Sequence, residues 1–537
     1  MSSTSGPSGS TSAEKMATEP VQLRSQVAPD QEKNVDSVPE VINDGPVVRK
    51  LTGITWFIAI FALISSTFLY ALDNTVLANV RPSIIDTFGQ IDLLTWVSVA
   101  YPLGEVGSNP LWGKLNVHFN NKILYLITLA IFEVGSAVIG SALSMVAVIV
   151  GRTIAGFGGS SIYVCTVNII SSLTTPAERN HYITYAFYIN VVIAGVTAPA
   201  CVFLIPSVRP PQTRSSTWWQ RLRRIDYVGE VLWLGGIVTV VTILSSGGAL
   251  WTWGSPRLIG LYVAAGAAWI LFWVQQHFSI LTSDRIFPLE LAGRWHMMLL
   301  FCWSSLTIAN DTVTIYSLPL LYQFSFNDSP LYAAVWTIPF IAALLVSGGP
   351  LGPLFPKFSL YKVWFLCASV PMLVAAGLLS TINYRTSRAA ITGYTVIQGV
   401  GCGPVVSLPF TVVQAKATTA RAKMATTGLL TCAQMAGLVL ALGIATAVFL
   451  NRATDEIGAL LSGAEFPRSL IQAAISGVGS SVFDNLDPDI RRKVSAIVAR
   501  NVGKVFYLNV AGSALGFVTA VLMKWETLDL SDVQDGQ

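Results

Sequence analysis

The stretch MVAVIVGRTIAGFGGSSIYVCTVNII, residues 145–170, is an almost unbroken apolar run with one arginine inside it. A run of about 20 apolar residues is long enough to cross the bilayer core as a helix. Arg152 lies well within the run, so its charge needs a carboxylate, a carbonyl or water inside the membrane. We therefore interpret Arg152 as a functional residue rather than as a side chain that reaches for the lipid headgroups.

The glycines of the same stretch predict close helix packing. Gly156, Gly158 and Gly159 would give the helix a smooth face on which a neighbouring helix can approach closely. Glycine-rich loops that bind phosphate lie between a strand and a helix, and this apolar run lacks that context. The pattern thus predicts a packed transmembrane helix rather than a nucleotide site.

Similar runs recur along the chain, of which 53% is hydrophobic and only 12% charged. Soluble proteins have about 25% charged residues. Open strands are not stable in lipid, and the runs are too long and too continuously apolar for barrel strands. We predict an all-α polytopic membrane protein of about 13 spans, at 53–72, 92–112, 123–142, 144–170, 183–205, 226–246, 257–276, 296–322, 331–354, 361–382, 389–414, 425–450 and 503–523.

The positive charges of the short loops indicate which loops are cytoplasmic. Counted from the N-terminus, the loop at residues 174–182 is cytoplasmic. Counted back from the C-terminal half, the arginine-rich loop at residues 207–225 is also cytoplasmic. Two loops on the same side of the membrane must be separated by an even number of spans. Only one span, 183–205, lies between these two loops. Either a span is missing, or one half is inverted, or 183–205 is re-entrant.

Two further stretches place polar residues at membrane boundaries. ALDNTVLANVRPSI (71–84) ends the first span with Asp73, which is either a functional carboxylate or a cap at the interface. In NPLWGKLNVHFNNK (109–122), we expect Gly113 to permit a tight turn. Lys114 and Lys122 would hold this loop at the cytoplasmic surface.

Glycines recur late in the chain, in QGVGCGPVVSLP (398–409). Gly401, Gly403 and Pro404 predict a kinked helix that packs closely against its neighbours.

Taken in order, these stretches resemble the major facilitator superfamily. Within it, they resemble the fourteen-helix drug:proton antiporters, in the fungal branch that exports toxins and secondary metabolites. LDNTV is similar to the first-helix motif, WGKL and the following residues to the loop motif, and GRTIAGFGG to the fourth-helix motif. Val117 stands where the general loop motif has an acidic residue.

The resemblance covers about residues 50–523 and implies two helix bundles that rock about a central cavity. The bundles would occupy 51–205 and 295–523, and two linker spans at 226–276 would join them. Residues 452–500 would form an outer loop, with Ile457, Leu460, Leu461, Leu470 and Ile471 on the membrane surface. We expect cytoplasmic tails at 1–48, which has a disordered composition, and at 524–537.

The resemblance also explains why the sequence shows about 13 spans when the family has fourteen helices. Residues 185–206 are similar to the sixth helix of the family rather than to the fifth. The fifth helix and its Gly-Pro antiporter motif are therefore predicted to be missing from this chain. The loop charges led to the same position independently.

By resemblance, Asp73 and Arg152 are the candidates for proton coupling, because a carboxyl group in apolar surroundings can exchange a proton against substrate. Candidates for the substrate cavity are Glu105, Asn310, Asp311, Gln398 and Gln434. For Gln398 and Gln434, polar helix packing is the alternative role. We expect Glu105 and Glu133 to be buried, Glu133 with a structural role.

Several function classes find no support in the sequence. The chain has no HExxH, GxSxG or GxxxxGK[ST] pattern, so we expect neither an enzyme nor a nucleotide-driven pump. Its six cysteines lie in apolar runs without metal-ligand spacing, so we expect no metal and no cofactor. Asn327, in the sequence NDS, is a candidate for glycosylation.

We therefore expect a monomeric proton-coupled efflux transporter for small amphipathic organic compounds, with protons and the lipid bilayer as its other partners and no nucleic acid. The plasma membrane is the expected location, and a vacuolar or vesicle membrane is the alternative. The competing hypothesis is a transport-inactive or regulatory homologue, or a truncated form of an efflux pump, because of the missing helix.

Overall fold

The computed structural model describes Leu63, Ser66, Phe88 and residues 93–173, 218–248, 251–282, 284–287, 294–349, 354–355, 358–417, 420–461, 467–475 and 487–528. All of the predicted span 183–205 lies outside these residues, as do Asp73 and the position of the missing helix. Most of the predicted span 53–72 also lies outside them.

The described residues form helices and no strands. In chain order the helices are α1 (Leu94–His118), α2 (Asn121–Gly140), α3 (Met145–Leu173), α4 (Trp218–Arg223), α5 (Tyr227–Ser246), α6 (Pro256–Phe278), α7 (Trp295–Phe326), α8 (Pro330–Val335), α9 (Ile338–Gly348), α10 (Tyr361–Ser380), α11 (Arg388–Val406), α12 (Leu408–Lys416), α13 (Ala420–Leu460), α14 (Arg468–Ala473), α15 (Pro488–Val505) and α16 (Tyr507–Leu522). Nine helical segments in this part of the chain are long and apolar enough to cross a membrane. The prediction of an all-α polytopic membrane protein is confirmed.

Local sequence explains where several helices begin. Ser255 accepts a hydrogen bond from the Leu258 amide, and Pro256 occupies the first turn of α6. Asp226 caps α5 through the Gly229 amide in the same way. Such caps satisfy amide groups that have no partner within the helix, and proline fits the first turn because its missing N–H is not needed there.

Two predicted spans are each interrupted. The predicted span 331–354 contains α8 and α9, which meet at Trp336 and Thr337, just before Pro339 in the first turn of α9. The span 389–414 contains α11 and α12, which meet at Ser407. Proline interrupts the helical hydrogen-bond pattern, and hydropathy alone does not locate such a break.

The glycines predicted to support close packing do so in both halves of the chain. A Cβ on Gly156 would collide with the carbonyl oxygen of Tyr101 in α1, and one on Gly158 would lie 2.6 Å from the Phe132 amide of α2. In α11, a Cβ on Gly403 would collide with the carbonyl oxygen of Leu344. Helix α3 therefore packs on α1 and α2, and α11 packs on α9 and α10, through their backbones.

The described part of residues 452–500 is helical, and its outer location stays a prediction. Helix α13 continues to Leu460, and α15 begins at Pro488. Ile457, Leu461 and Ile471 are buried in one cluster that also contains Val498, so their apolar face packs against protein. The prediction that this face lies on the membrane surface was wrong, because α15 covers it.

Helices α5 and α6, the predicted linker spans, pack against each other and form a hairpin. Helix α5 also packs against α1 and α13, which themselves pack together. The hairpin thus lies where α1 of the first half meets α13 of the second half.

Candidate functional site

Arg152 lies in the protein interior, on the face of α3 that also carries Gly156. Only 4% of its surface is exposed, so it does not extend to the lipid headgroups. The guanidinium carbon lies 5.3 Å from the centre of the Tyr101 ring of α1, within range of a cation–π interaction. Gly156 is what allows α1, and with it the ring of Tyr101, to come this close.

The predicted partner of Arg152 in proton coupling, Asp73, lies outside the described residues. Their pairing therefore stays a prediction. Glu105 is fully buried on α1, whereas Glu133 is exposed on α2. The expectation that Glu133 is buried was wrong, because its position on α2 points away from the packed face that contains Phe132 and Gly135.

Asn310 and Gln398 belong to one buried hydrogen-bond network. The Gln398 amide nitrogen donates to Thr314 Oγ1 at 2.7 Å, and the Thr314 hydroxyl also lies 3.0 Å from the carbonyl oxygen of Asn310. Asn509 of α16 donates to Thr314 Oγ1 at 3.0 Å, and Asn310 donates to Ser513 at 3.1 Å. The network joins α7, α11 and α16, so it at least fixes the packing of these helices.

The network includes residues that the sequence did not point to. Asn509 and Ser513 are separated from Asn310 by about 200 positions. Their spacing of four residues places both on one face of α16, which is the only signal that the sequence offers.

Asp311 is buried one residue further along α7, with 7% of its surface exposed. It interacts with the thiol of Cys402 on α11, while its Oδ1 atom has no hydrogen-bond partner among the described residues. A buried carboxyl oxygen without a partner is costly unless the group is protonated or binds a ligand. Gln434, the remaining cavity candidate, is buried on α13.

The loop motif is helical and not a turn. Helix α1 continues through Gly113 to His118, so the predicted tight turn at Gly113 was wrong. Gly113 instead faces Gly428 on α13, where a Cβ on Gly428 would lie only 3.2 Å from the Cα of Gly113. Glycine thus occurs on both α1 and α13, at the point where the two halves of the chain meet.

Lys114 is held by a residue from another segment. Its Nζ atom lies 2.7 Å from Asp284 Oδ1, and His118 Nε2 lies 2.8 Å from Asp284 Oδ2. Asp284 belongs to the segment between α6 and α7, so this contact ties α1 to the chain that enters the second half. Lys122 does not take part; it is half-buried in the first turn of α2, where its amide donates to Asn120.

The last candidate, Asn327, ends α7 in the left-handed conformation and is exposed. Its Oδ1 atom accepts a hydrogen bond of 2.8 Å from Arg491. Glycosylation there stays a prediction.

Comparison with known proteins gives consistent matches over most of the chain. The profile of the Major Facilitator Superfamily matches residues 63–442. The MFS-type transporter pgmG of Aspergillus terreus is 36% identical, over 89% of this chain and 90% of its own length. The efflux pump alnA of Emericella nidulans is 33% identical, over 89% of this chain and 92% of its own.

A solved structure shares the fold at low sequence identity. The human organic anion transporter MFSD10 (TETRAN) superposes with a TM-score of 0.52 at 12% identity, covering 88% of this chain and 99% of that one. At this identity the likeness concerns the arrangement of helices.

Proposed function

Since the chain belongs to the major facilitator superfamily, we propose that it is a proton-coupled efflux transporter that exports amphipathic organic compounds by alternating access. It is a multi-pass membrane transporter and not an enzyme. The two bundles at 51–205 and 295–523 would rock about a central site, opening it to each side of the membrane in turn. A relative named as an efflux pump supports the outward direction.

The observation that carries proton coupling is the burial of Arg152. A guanidinium group keeps its charge throughout the physiological pH range, so in α3 it requires a counter-charge. We propose that Asp73 supplies this charge in one state of the cycle and takes up a proton in another. Arg152 would then control proton release from Asp73. The charged carboxylate is favoured when the guanidinium group is close, and the protonated form is favoured when the two groups are apart.

The second half of the chain supplies polar groups of a different kind. Asn310, Thr314 and Gln398 are uncharged, and Asp311 is a buried carboxyl group with one oxygen atom that has no hydrogen-bond partner among the described residues. We propose that Asp311 faces the substrate or a proton during the cycle. A site with few fixed charges fits amphipathic organic molecules, such as toxins, secondary metabolites or drugs, better than sugars or ions. We propose a monomer in the plasma membrane.

Export from intact cells tests this proposal. Cells that produce the full chain would be loaded with the fluorescent dye rhodamine 6G, and dye efflux would be measured with and without a protonophore. We expect efflux that the protonophore abolishes and that Asp73→Asn and Arg152→Ala each reduce at least tenfold. Efflux that survives both substitutions together would contradict the assignment of these residues.

One observation favours a second function, that of a transport-inactive or regulatory homologue. The loop charges require an even number of spans between residues 182 and 207, and only one apolar run is present. A chain that is stably inserted but exports no dye would support the inactive homologue. Sequencing the transcript across the codons for residues 179–186 decides whether a coding stretch for a further helix is lacking.

A further inference from the structure

A partly open cavity lies outside the residues proposed for coupling. It has a volume of about 340 Å³, at the lower end of the range of about 300–1,000 Å³ that is typical of small-molecule sites. Its walls come from α1 on one side, from α7 and α13 on the other, and from the α5–α6 hairpin. We call it the seam cavity, because it lies where Gly113 of α1 meets Gly428 of α13.

One wall of the seam cavity is a continuous row of aromatic rings. The ring centres of Trp233 and Phe272 are 5.7 Å apart, those of Phe272 and Trp273 are 5.5 Å apart, and those of Trp273 and Phe287 are 5.3 Å apart. Phe301 of α7 lines the cavity as well. Aromatic rings at such distances favour further ring contacts of the offset or edge-to-face kind.

The aromatic wall is fixed in place by buried hydrogen bonds. Gln276 donates to Asp226 at 2.7 Å and accepts a bond of 2.9 Å from the Phe287 amide. The wall residue Phe287 is therefore tied to the start of α5, on which Trp233 lies two turns later. A wall that is ordered before a ligand arrives lowers the entropic cost of binding.

The charge of the cavity lining favours a neutral ligand. Among the described residues that line it, Lys114 alone is charged, and its Nζ atom is bound by Asp284 at 2.7 Å. The other polar side-chain groups of this described lining are the thiols of Cys302 and Cys432, the hydroxyl of Ser305 and the indole N–H groups of Trp233 and Trp273. These can form hydrogen bonds but cannot neutralise an ion.

We propose that the seam cavity is a binding site for neutral, flat aromatic molecules, separate from the central transport site. A ligand there would contact both halves of the chain and the hairpin at once. It would bind in whichever state keeps α1 against α13, because only then are all the walls together. The row of rings favours this ligand class over an acyl chain, which gains no ring contacts.

Photolabelling with benzophenone, a neutral two-ring compound that reacts with nearby C–H bonds under ultraviolet light, tests the proposal. The purified full chain would be irradiated with the probe, digested and analysed by mass spectrometry. We expect adducts on peptides that contain residues 298–305 and 425–436. The assay needs no proton gradient and no transport, so its failure is distinct from failure of the proposed function.

Substitutions on one helix provide the matched comparison. Ala433→Phe places a ring inside the cavity and should reduce labelling there at least tenfold, and Ala436→Phe is an independent variant with the same expected effect. Ile444→Phe adds a ring to an exposed position of the same helix and should leave labelling within twofold. Gel filtration of each variant checks that it is folded.

Two results would overturn the proposal. One is labelling spread over the exposed helix surfaces and unchanged in both cavity variants. The other is cavity labelling that appears only after bound phospholipid has been removed, which would assign the space to a lipid acyl chain.

Discussion

The indole N–H of Trp233 on α5 donates a hydrogen bond of 2.9 Å to the backbone carbonyl oxygen of Val106 on α1. Pro110 lies four residues after Val106, inside the same helix, and has no N–H to donate. The proline therefore leaves the Val106 carbonyl without its usual helical partner, and Trp233 supplies the missing donor. The hairpin therefore packs on α1 at Pro110.

The Trp233→Phe variant should therefore be less stable, by about 1–3 kcal/mol, because a buried carbonyl group loses its donor. Thermal unfolding of the purified protein measures the loss. In a Pro110→Ala background, the N–H of residue 110 can bond to Val106, so the same substitution should cost clearly less. An equal cost in both backgrounds would show that the hydrogen bond is not what Trp233 contributes.

The contact between Lys114 and Asp284 gives a second prediction. Both side chains are 13% exposed, so the pair lies between the surface and the interior. We expect Asp284→Asn to lower the free energy of unfolding by about 1–3 kcal/mol, between the values for exposed and buried pairs. Asp455→Asn breaks an exposed pair with Arg468 and should change stability by less than about 1 kcal/mol. Equal effects of the two variants would contradict the anchoring role of Asp284.

Close packing at Gly156 predicts that even a methyl group is harmful there. Gly156→Ala should destabilise the protein by about 1–3 kcal/mol, because α1 and α3 must move apart. Gly377, in the last turn of α10, has open space where its Cβ would be. Gly377→Ala should be neutral or stabilising by about 0.5–1 kcal/mol, since alanine favours the helix. Differential scanning fluorimetry distinguishes the two, and a harmless Gly156→Ala would refute the close approach.

The buried network around Thr314 predicts the effect of removing one hydroxyl group. Thr314→Val leaves Gln398 and Asn509 without a common partner, so we expect a loss of about 1–3 kcal/mol in stability. The hydroxyl of Thr239 bonds only to carbonyl groups of its own helix α5, so Thr239→Val is the matched control. Thermal unfolding that ranks Thr239→Val as the more damaging change would contradict the role of the network.

Sequence alone located the helices well where apolar runs are continuous. The predicted span 123–142 corresponds to Asn121–Gly140, and 257–276 corresponds to Pro256–Phe278. The length of the bilayer core imposes this agreement. It failed for the apolar face of Ile457, Leu461 and Ile471, because that face packs into a cluster with Val498 of α15, which is distant in sequence.

The sequence singles out some buried residues of the candidate site but not their contacts. A charged residue inside an apolar run singles out Arg152, because burial of charge is costly wherever it occurs. Nothing in the sequence near Lys114 indicates that Asp284, 170 positions later, holds it. The role of Gly113 was misread for the same reason, since its neighbour Gly428 is distant in sequence.

We propose that proton movement through Asp73 and Arg152 drives export. The decisive experiment uses purified protein reconstituted in liposomes, with a pH gradient as the only energy source, and follows the coupled movement of rhodamine 6G and protons. We expect dye movement against its gradient that collapses with the pH gradient and that is lost in Arg152→Ala. Dye movement that ignores the pH gradient, or that persists unchanged in Arg152→Ala, would contradict it.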